Sequence, residues 1–166
     1  FNYETVLGRM REQAFLNAGV RIRLHDLRGD EIIEDDLCYE GGLKSFVEYL
    51  NATKHADPIH PEVIYVRGER GDMTAEVALQ YNDSYNEVIL SFANNIHTVD
   101  GGSHETGFKN SLTKVINEYG KSKGVKVEHY INSSGLAEMI EGTSIAHEFK
   151  RIFACSFLYG EAGEAE

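Results

Sequence analysis

Leu7, Met10, Ala14 and Phe15 fall on one helical face while Arg9, Glu12 and Gln13 fall elsewhere, which predicts a helix over residues 3–17. Asn2 is placed to cap its start and Gly19 to end it. The period then changes. Val20, Ile22 and Leu24 alternate with Arg21, Arg23 and His25, the pattern of a half-buried strand, and Arg28-Gly29-Asp30 reads as a turn. From Gly41-Gly42 the helical period returns, with Leu43, Phe46, Val47 and Leu50 forming a stripe that predicts a second helix to about Asn51. Residues 52–61 hold both prolines, Pro58 and Pro61, and read as a loop. Three strands follow, over 62–67, 73–81 and 87–93; the short turns between them predict an antiparallel meander. In the middle strand Met73, Ala75, Val77, Leu79 and Tyr81 alternate with Thr74, Glu76, Ala78 and Gln80, so one sheet face needs a cover. A helix from about Ser103 to Tyr119, with Phe108, Leu112, Val115, Ile116 and Tyr119 on one side, is the candidate. Beyond Gly120 the signal weakens: residues 125–130 suggest a strand, 134–140 a short helix, 141–157 mix periods, and 160–166 form an acidic end.

The fold class that emerges is α/β, an antiparallel-rich sheet covered by helices. Its 166 residues suit one domain, which at this size buries roughly 70% of the surface exposed when unfolded. Charge narrows the picture: 27 acidic against 16 basic residues give a net charge of −11, which argues against an autonomous nucleic-acid binder. Contact with DNA would need a local basic strip. Two cysteines, Cys38 and Cys155, with no secretory signal, read as reduced thiols in a cytoplasmic protein, and no apolar run approaches the ~20 residues that cross a bilayer. The chain opens on Phe1, already inside an amphipathic pattern, so it is expected to be part of something longer.

Candidate chemistry is sparse. Gly120-Lys121-Ser122 imitates the end of a phosphate loop, but the position that needs an earlier glycine is Val115, in a helix where a strand should be. The histidines, His25, His55, His60, His97, His104, His129 and His147, include no helical i, i+4 pair, so no metal site is expected. Glu34-Asp35-Asp36 reads as a solvated acidic edge rather than a metal site. No nucleophile elbow or other local catalytic signature is present. Positive charge accumulates once, at Lys109, Lys114, Lys121, Lys123 and Lys126; a solvated helix face and a phosphate-facing strip both account for it.

The segment from Asn95 to Phe108 is the most informative. Gly101-Gly102 lets the chain leave the sheet, Ser103 is placed to accept a backbone N–H at the helix start, and Asp100 and Glu105 suit its positive end. Gly107 inside the helix costs about 1 kcal/mol relative to alanine and suggests close backbone approach. This segment resembles the N-x-x-T-x-x-G-G-[ST]-H-x-x-G-F signature of the B subunits of bacterial DNA gyrase, shared with those of topoisomerase IV. The residues that carry it are Asn95, Thr98, Gly101, Gly102, Ser103, His104, Gly107 and Phe108. Arg9–Gly19 (RMREQAFLNAG) resembles the last helix of that family's ATPase domain, and residues 20–27 the strand after it. Tyr39-Glu40-Gly41-Gly42-Leu43 with residues 45–51 resembles the start of its transducer domain, and residues 76–94 the central hairpin. The resemblance covers about residues 1–120.

The resemblance implies three regions: residues 1–36 from the end of a GHKL-type ATPase domain, 37–120 from the transducer, and 121–166 a divergent tail. It also implies a left-handed β-α-β crossover, an exception to the usual hand. Function would be that of the B chain of an ATP-dependent type II topoisomerase, with ATP and Mg²⁺ as its cofactors when whole. DNA, the gyrase A subunit, and a second copy of the B subunit would be its partners. None of the family's nucleotide-binding motifs, nor its glutamine-threonine-lysine loop, occurs among these residues, so no catalytic, cofactor-binding or metal residue is expected here and the fragment alone should be inactive. Asn132-Ser133-Ser134-Gly135 and Glu141-Gly142 echo the family with one extra residue, whereas residues 147–166 depart from it. Lys114 and Lys121, seven residues apart and so on one helical face, are the DNA-facing candidates. A non-catalytic α/β interaction module that reuses the transducer fold is the competing reading.

Overall fold

Helix α1 (Tyr3–Leu16) begins where the side chain of Asn2 accepts a hydrogen bond from the Glu4 N–H at 2.9 Å, satisfying one of the free donors of the first turn. It ends at Asn17 rather than Gly19: the Asn17 amide and its backbone N–H both donate to the Gln13 carbonyl, at 2.8 and 3.1 Å. Gly19, with φ +80°, then turns the chain, and its N–H donates to Tyr39 O. Strands β1 (Arg21–Asp26) and β2 (Ile33–Cys38) form an antiparallel pair. Leu7, Ala14 and Leu37 make a small core between this pair and α1, flanked by Met10, Ile22 and Leu24.

A computed structural model describes residues 2–84, 87–124 and 150–159 of the chain, which divides into two units: residues 1–97 with 149–166, and residues 98–148. In the first unit α2 (Leu43–Lys54) buries Leu43, Phe46 and Val47 against Ala78 and Phe92 of the main sheet. Phe15 of α1 joins this core, its ring stacked on Tyr39 at 3.7 Å and on Phe46 at 4.7 Å between centroids. The helix runs three residues past Asn51 because Asn51 faces inward: its Nδ2 donates to Gln80 Oε1 at 2.8 Å and its Oδ1 accepts from Asn82 Nδ2 at 2.9 Å. Gln80 donates in turn to the His60 carbonyl at 2.8 Å, so the buried amides that fasten α2 to the sheet are partnered. His55 closes the helix in the left-handed conformation, φ +51°.

The main sheet has the order β3 (Ile64–Arg70), β4 (Met73–Asn82), β7 (Lys150–Tyr159), β5 (Val88–Ala93), β6 (Ile96–His97). The β3–β4 pair is the expected antiparallel hairpin, but β3 runs on to Arg70, leaving a two-residue turn with Gly71 at φ +58° in place of a turn over 68–72. The meander does not form. β4 does not pair with β5; β7 lies between them, antiparallel to β4 and parallel to β5. A few residues of extended chain span the roughly 10 Å across an intervening strand, so a short separation in sequence does not by itself imply adjacent strands. β7 runs parallel to β5, and β6 and α3 lie between them in chain order. The expected strand over 125–130 and helix over 134–140 lie outside the described residues.

The second unit contains α3 (Ser103–Ser122). Phe108, Leu112 and Ile116 are half-buried, but Val115 and Tyr119 are 61% and 64% exposed, so the apolar face is narrower than its period predicts.

Candidate functional site

In the second unit, the first part of the signature folds back on itself. The Gly101 N–H donates to the Thr98 carbonyl at 2.9 Å, and Thr98 Oγ1 hydrogen-bonds His104 Nε2 at 3.1 Å. Gly101 has φ +71°, which a residue with a Cβ adopts at a cost. At Gly102 the reason for glycine is contact: a Cβ there would lie 2.7 Å from Cε1 and 2.9 Å from Nδ1 of the His104 ring. Threonine, two glycines and histidine at this spacing therefore make a clasp that fixes where α3 starts.

The helix cap differs from expectation. Gly102 is the cap residue, with no side-chain hydrogen bond, and Ser103 is the first helical residue. Its hydroxyl is one position too late to cap, because the clasp sets the helix start at Gly102. Glu105 supplies negative charge in the first turn and pairs with Lys109 at 2.5 Å. Gly107 meets nothing within 4 Å at its Cβ position, so the close approach expected there is not found among the described residues. Phe108 is half-buried.

In the first unit, Asn94 and Asn95 turn the chain between β5 and β6 with φ +49° and +62°, the left-handed conformation that asparagine tolerates best after glycine. Asn95 Nδ2 donates to Asn17 Oδ1 at 3.1 Å, and Gln13 Nε2 donates to the Asn95 carbonyl at 2.8 Å. Gln13 and Asn17 were not candidates in the sequence. The available signal was an amide one helical turn before another at the end of α1, together with the Asn94-Asn95 pair at a strand end.

The lysine cluster separates into members with different surroundings. Lys109, 15% exposed, is held by Glu105. Lys123 sits 5.6 Å from the centroid of the Tyr119 ring. Lys114, 74% exposed, is 3.9 Å from Glu118, and Lys121 is exposed in the last turn of α3. Lys126 lies outside the described residues.

The acidic run lies within β2 and is engaged with neighbouring side chains. Glu34 and Asp36 stand opposite His25 and Arg23 in the β1–β2 register, with His25 Nδ1 3.0 Å from Glu34 and Arg21 and Arg23 each 3.3 Å from Asp36. Asp35 accepts from the Tyr3 hydroxyl at 2.6 Å, a bond that pushes the phenol up to about 12. Among the described residues no group of three or more His, Cys, Asp or Glu could hold a metal ion.

A mixed sheet backed by a helix, with a glycine junction after its last paired strand, defines a mixed α/β domain. Comparison with known proteins makes that class particular. The family model described as DNA gyrase B matches residues 42–141, past the stretch that carries the motif resemblance. The DNA gyrase B subunit of Staphylococcus epidermidis is 51% identical over 127 residues, 76% of this chain and 19% of that protein. Its Staphylococcus aureus counterpart is 49% identical over 136 residues, 81% of this chain and 21% of that protein. The 43K ATPase domain of Thermus thermophilus gyrase B, solved with an aminocoumarin, superposes with a TM-score of 0.72 at 27% identity over 97% of this chain and 40% of its own. The chain belongs to the DNA gyrase B family, and it spans about a fifth of the length of the curated relatives it matches.

Proposed function

We propose that this stretch acts within an ATP-dependent type II DNA topoisomerase, relaying ATP binding and hydrolysis to DNA strand passage and supercoiling. The observation that carries the reading is 49–51% identity to gyrase B subunits over about three quarters of the chain or more. Residues 1–36 would be the edge of the ATPase domain, 37–120 the transducer, and 121–166 a divergent continuation. Transmission is the role this reading gives the residues present, whose acidic run is engaged in ion pairs. ATP and its metal would be served by other parts of the whole protein. DNA, the gyrase A subunit, and a second copy of the B subunit would be the partners of the whole enzyme, in the bacterial cytoplasm. No described helix is long and apolar enough to cross a membrane. Lys114 and Lys121 would face DNA. A non-catalytic module that merely reuses the fold is not favoured at this level of identity.

The reading is tested by pairing the whole B subunit with its gyrase A partner. ATP-dependent supercoiling by that assembly, with no ATP turnover by the isolated 166-residue polypeptide, is the expected outcome. Measurable turnover by the polypeptide alone would overturn the assignment of this stretch as a relay.

A further inference from the structure

The three amides at the end of α1 have fixed orientations. A backbone carbonyl only accepts, so Asn17 must present its NH₂ to Gln13 O, at 2.8 Å, and keeps Oδ1 for Asn95. Asn95 must then present its own NH₂ to Asn17, at 3.1 Å, while Gln13 presents its NH₂ to Asn95 O, at 2.8 Å. The turn between β5 and β6 is thus tied by two bonds, one through its side chain and one through its backbone, to a single turn of α1. Asn95 Oδ1 is buried and, among the described residues, accepts no hydrogen bond, so the side chain carries a desolvation cost that an apolar one would avoid.

Both ends of this tie are mechanically anchored. On one side Phe15, within the same turn of α1, stacks between Tyr39 and Phe46. On the other, Phe92 of β5 is fully buried, 6.3 Å from Phe46 and 5.1 Å from His97 between ring centroids. A displacement of α1 therefore reaches the β5–β6 turn by two routes, through the Phe15–Phe46–Phe92 ring contacts and directly through these side-chain bonds. We infer that Asn95 is a positioning residue of the relay: with Gln13 and Asn17 it forms a latch through which movement of α1 is transmitted to β5 and to the segment that follows His97. This inference rests on the function proposed above and deepens it.

The test uses the whole B subunit in complex with its gyrase A partner. Asn95→Gly keeps the left-handed turn, because glycine adopts positive φ freely, and removes only the amide. Gln13→Met removes the second bond while preserving helix propensity and length. In each variant basal ATP turnover should stay within about twofold of wild type, while supercoils introduced per ATP hydrolysed fall on the order of tenfold. Asn17→Ala combined with Asn95→Gly should lower supercoils per ATP no further than Asn17→Ala alone, since the bond that Asn95→Gly removes is already lost in Asn17→Ala. Unchanged supercoils per ATP in Asn95→Gly and Gln13→Met would overturn the latch, as would a proportional loss of both rates together with thermal stability. A wild-type assembly that performs no ATP-dependent supercoiling would instead overturn the proposed function, and the latch with it.

Discussion

Helices α2 and α3 start in the same way and end in different surroundings. Each follows a Gly-Gly pair, each is capped by the second glycine without a side-chain hydrogen bond, and each carries an apolar stripe. In α2 the glycine allows close packing: Gly42 has φ +56°, and a Cβ there would lie 3.2 Å from the Ala18 Cβ. The helix then buries Leu43, Phe46 and Val47. In α3 the glycine makes room for the His104 ring, and only Gly120 is buried along its 20 residues. One device thus serves two purposes: at α2 it lets a helix into a core, and at α3 it sets where a more exposed helix begins.

The two helices should differ most in what they contribute to stability. Phe46→Ala should cost about 3–5 kcal/mol, the range for emptying a buried aromatic site, whereas Val115→Ala on α3 should stay within about 0.5 kcal/mol. Urea unfolding of the two variants measures the contrast; equal costs would show that α3 is packed into a core to the same degree as α2. Glycine substitutions probe the same difference at smaller size. Gly42→Ala should destabilise by about 1–3 kcal/mol through strain at positive φ. Gly107→Ala, with open space around it, should stabilise by about 1 kcal/mol through helix propensity. Opposite signs in thermal unfolding are the expected result.

Smaller effects come from the termini of the β1–β2 region. The Arg28 guanidinium holds the Asp26 carboxyl down at about 2, assisted by the Arg28 N–H. Because the folded state favours the ionised form, the associated stability is present above pH ~4 and is lost as pH falls toward 2. Tyr3 is the reverse. Its hydrogen bond to Asp35 raises it to about 12, so the stability it contributes is present below pH ~10 and is lost as pH rises through 12. Ultraviolet titration should show one of the nine tyrosines ionising near 12, and Tyr3→Phe should remove that step.

Much of this architecture was legible because it is local. The Asn2 cap, the alternation in β1, the α2 stripe and the glycine junction each depend on neighbours within a few residues. What was not legible depends on distance. β7 takes its place by pairing with β4 and β5, and a stretch of mixed period does not announce a central strand. The Asn95 latch joins residues 78 positions apart, and the Asn51–Asn82 bond joins residues 31 apart. At the candidate site the signature positions were readable, but the reason for Gly102 was not, since it lies in the ring of His104. The serine cap failed for the same cause: the clasp sets the helix start, and local capping preference yields to it.

If this stretch couples a DNA-facing surface to ATP turnover carried out elsewhere in the protein, the coupling must depend on the exposed cations of α3. The decisive experiment replaces Lys114 and Lys121 with glutamate in the whole B subunit, pairs it with its gyrase A partner, and measures ATP turnover with and without DNA. Unchanged basal turnover and loss of most of the DNA stimulation are expected, with a shallower salt dependence of DNA binding. Full DNA stimulation in the double variant would contradict the coupling.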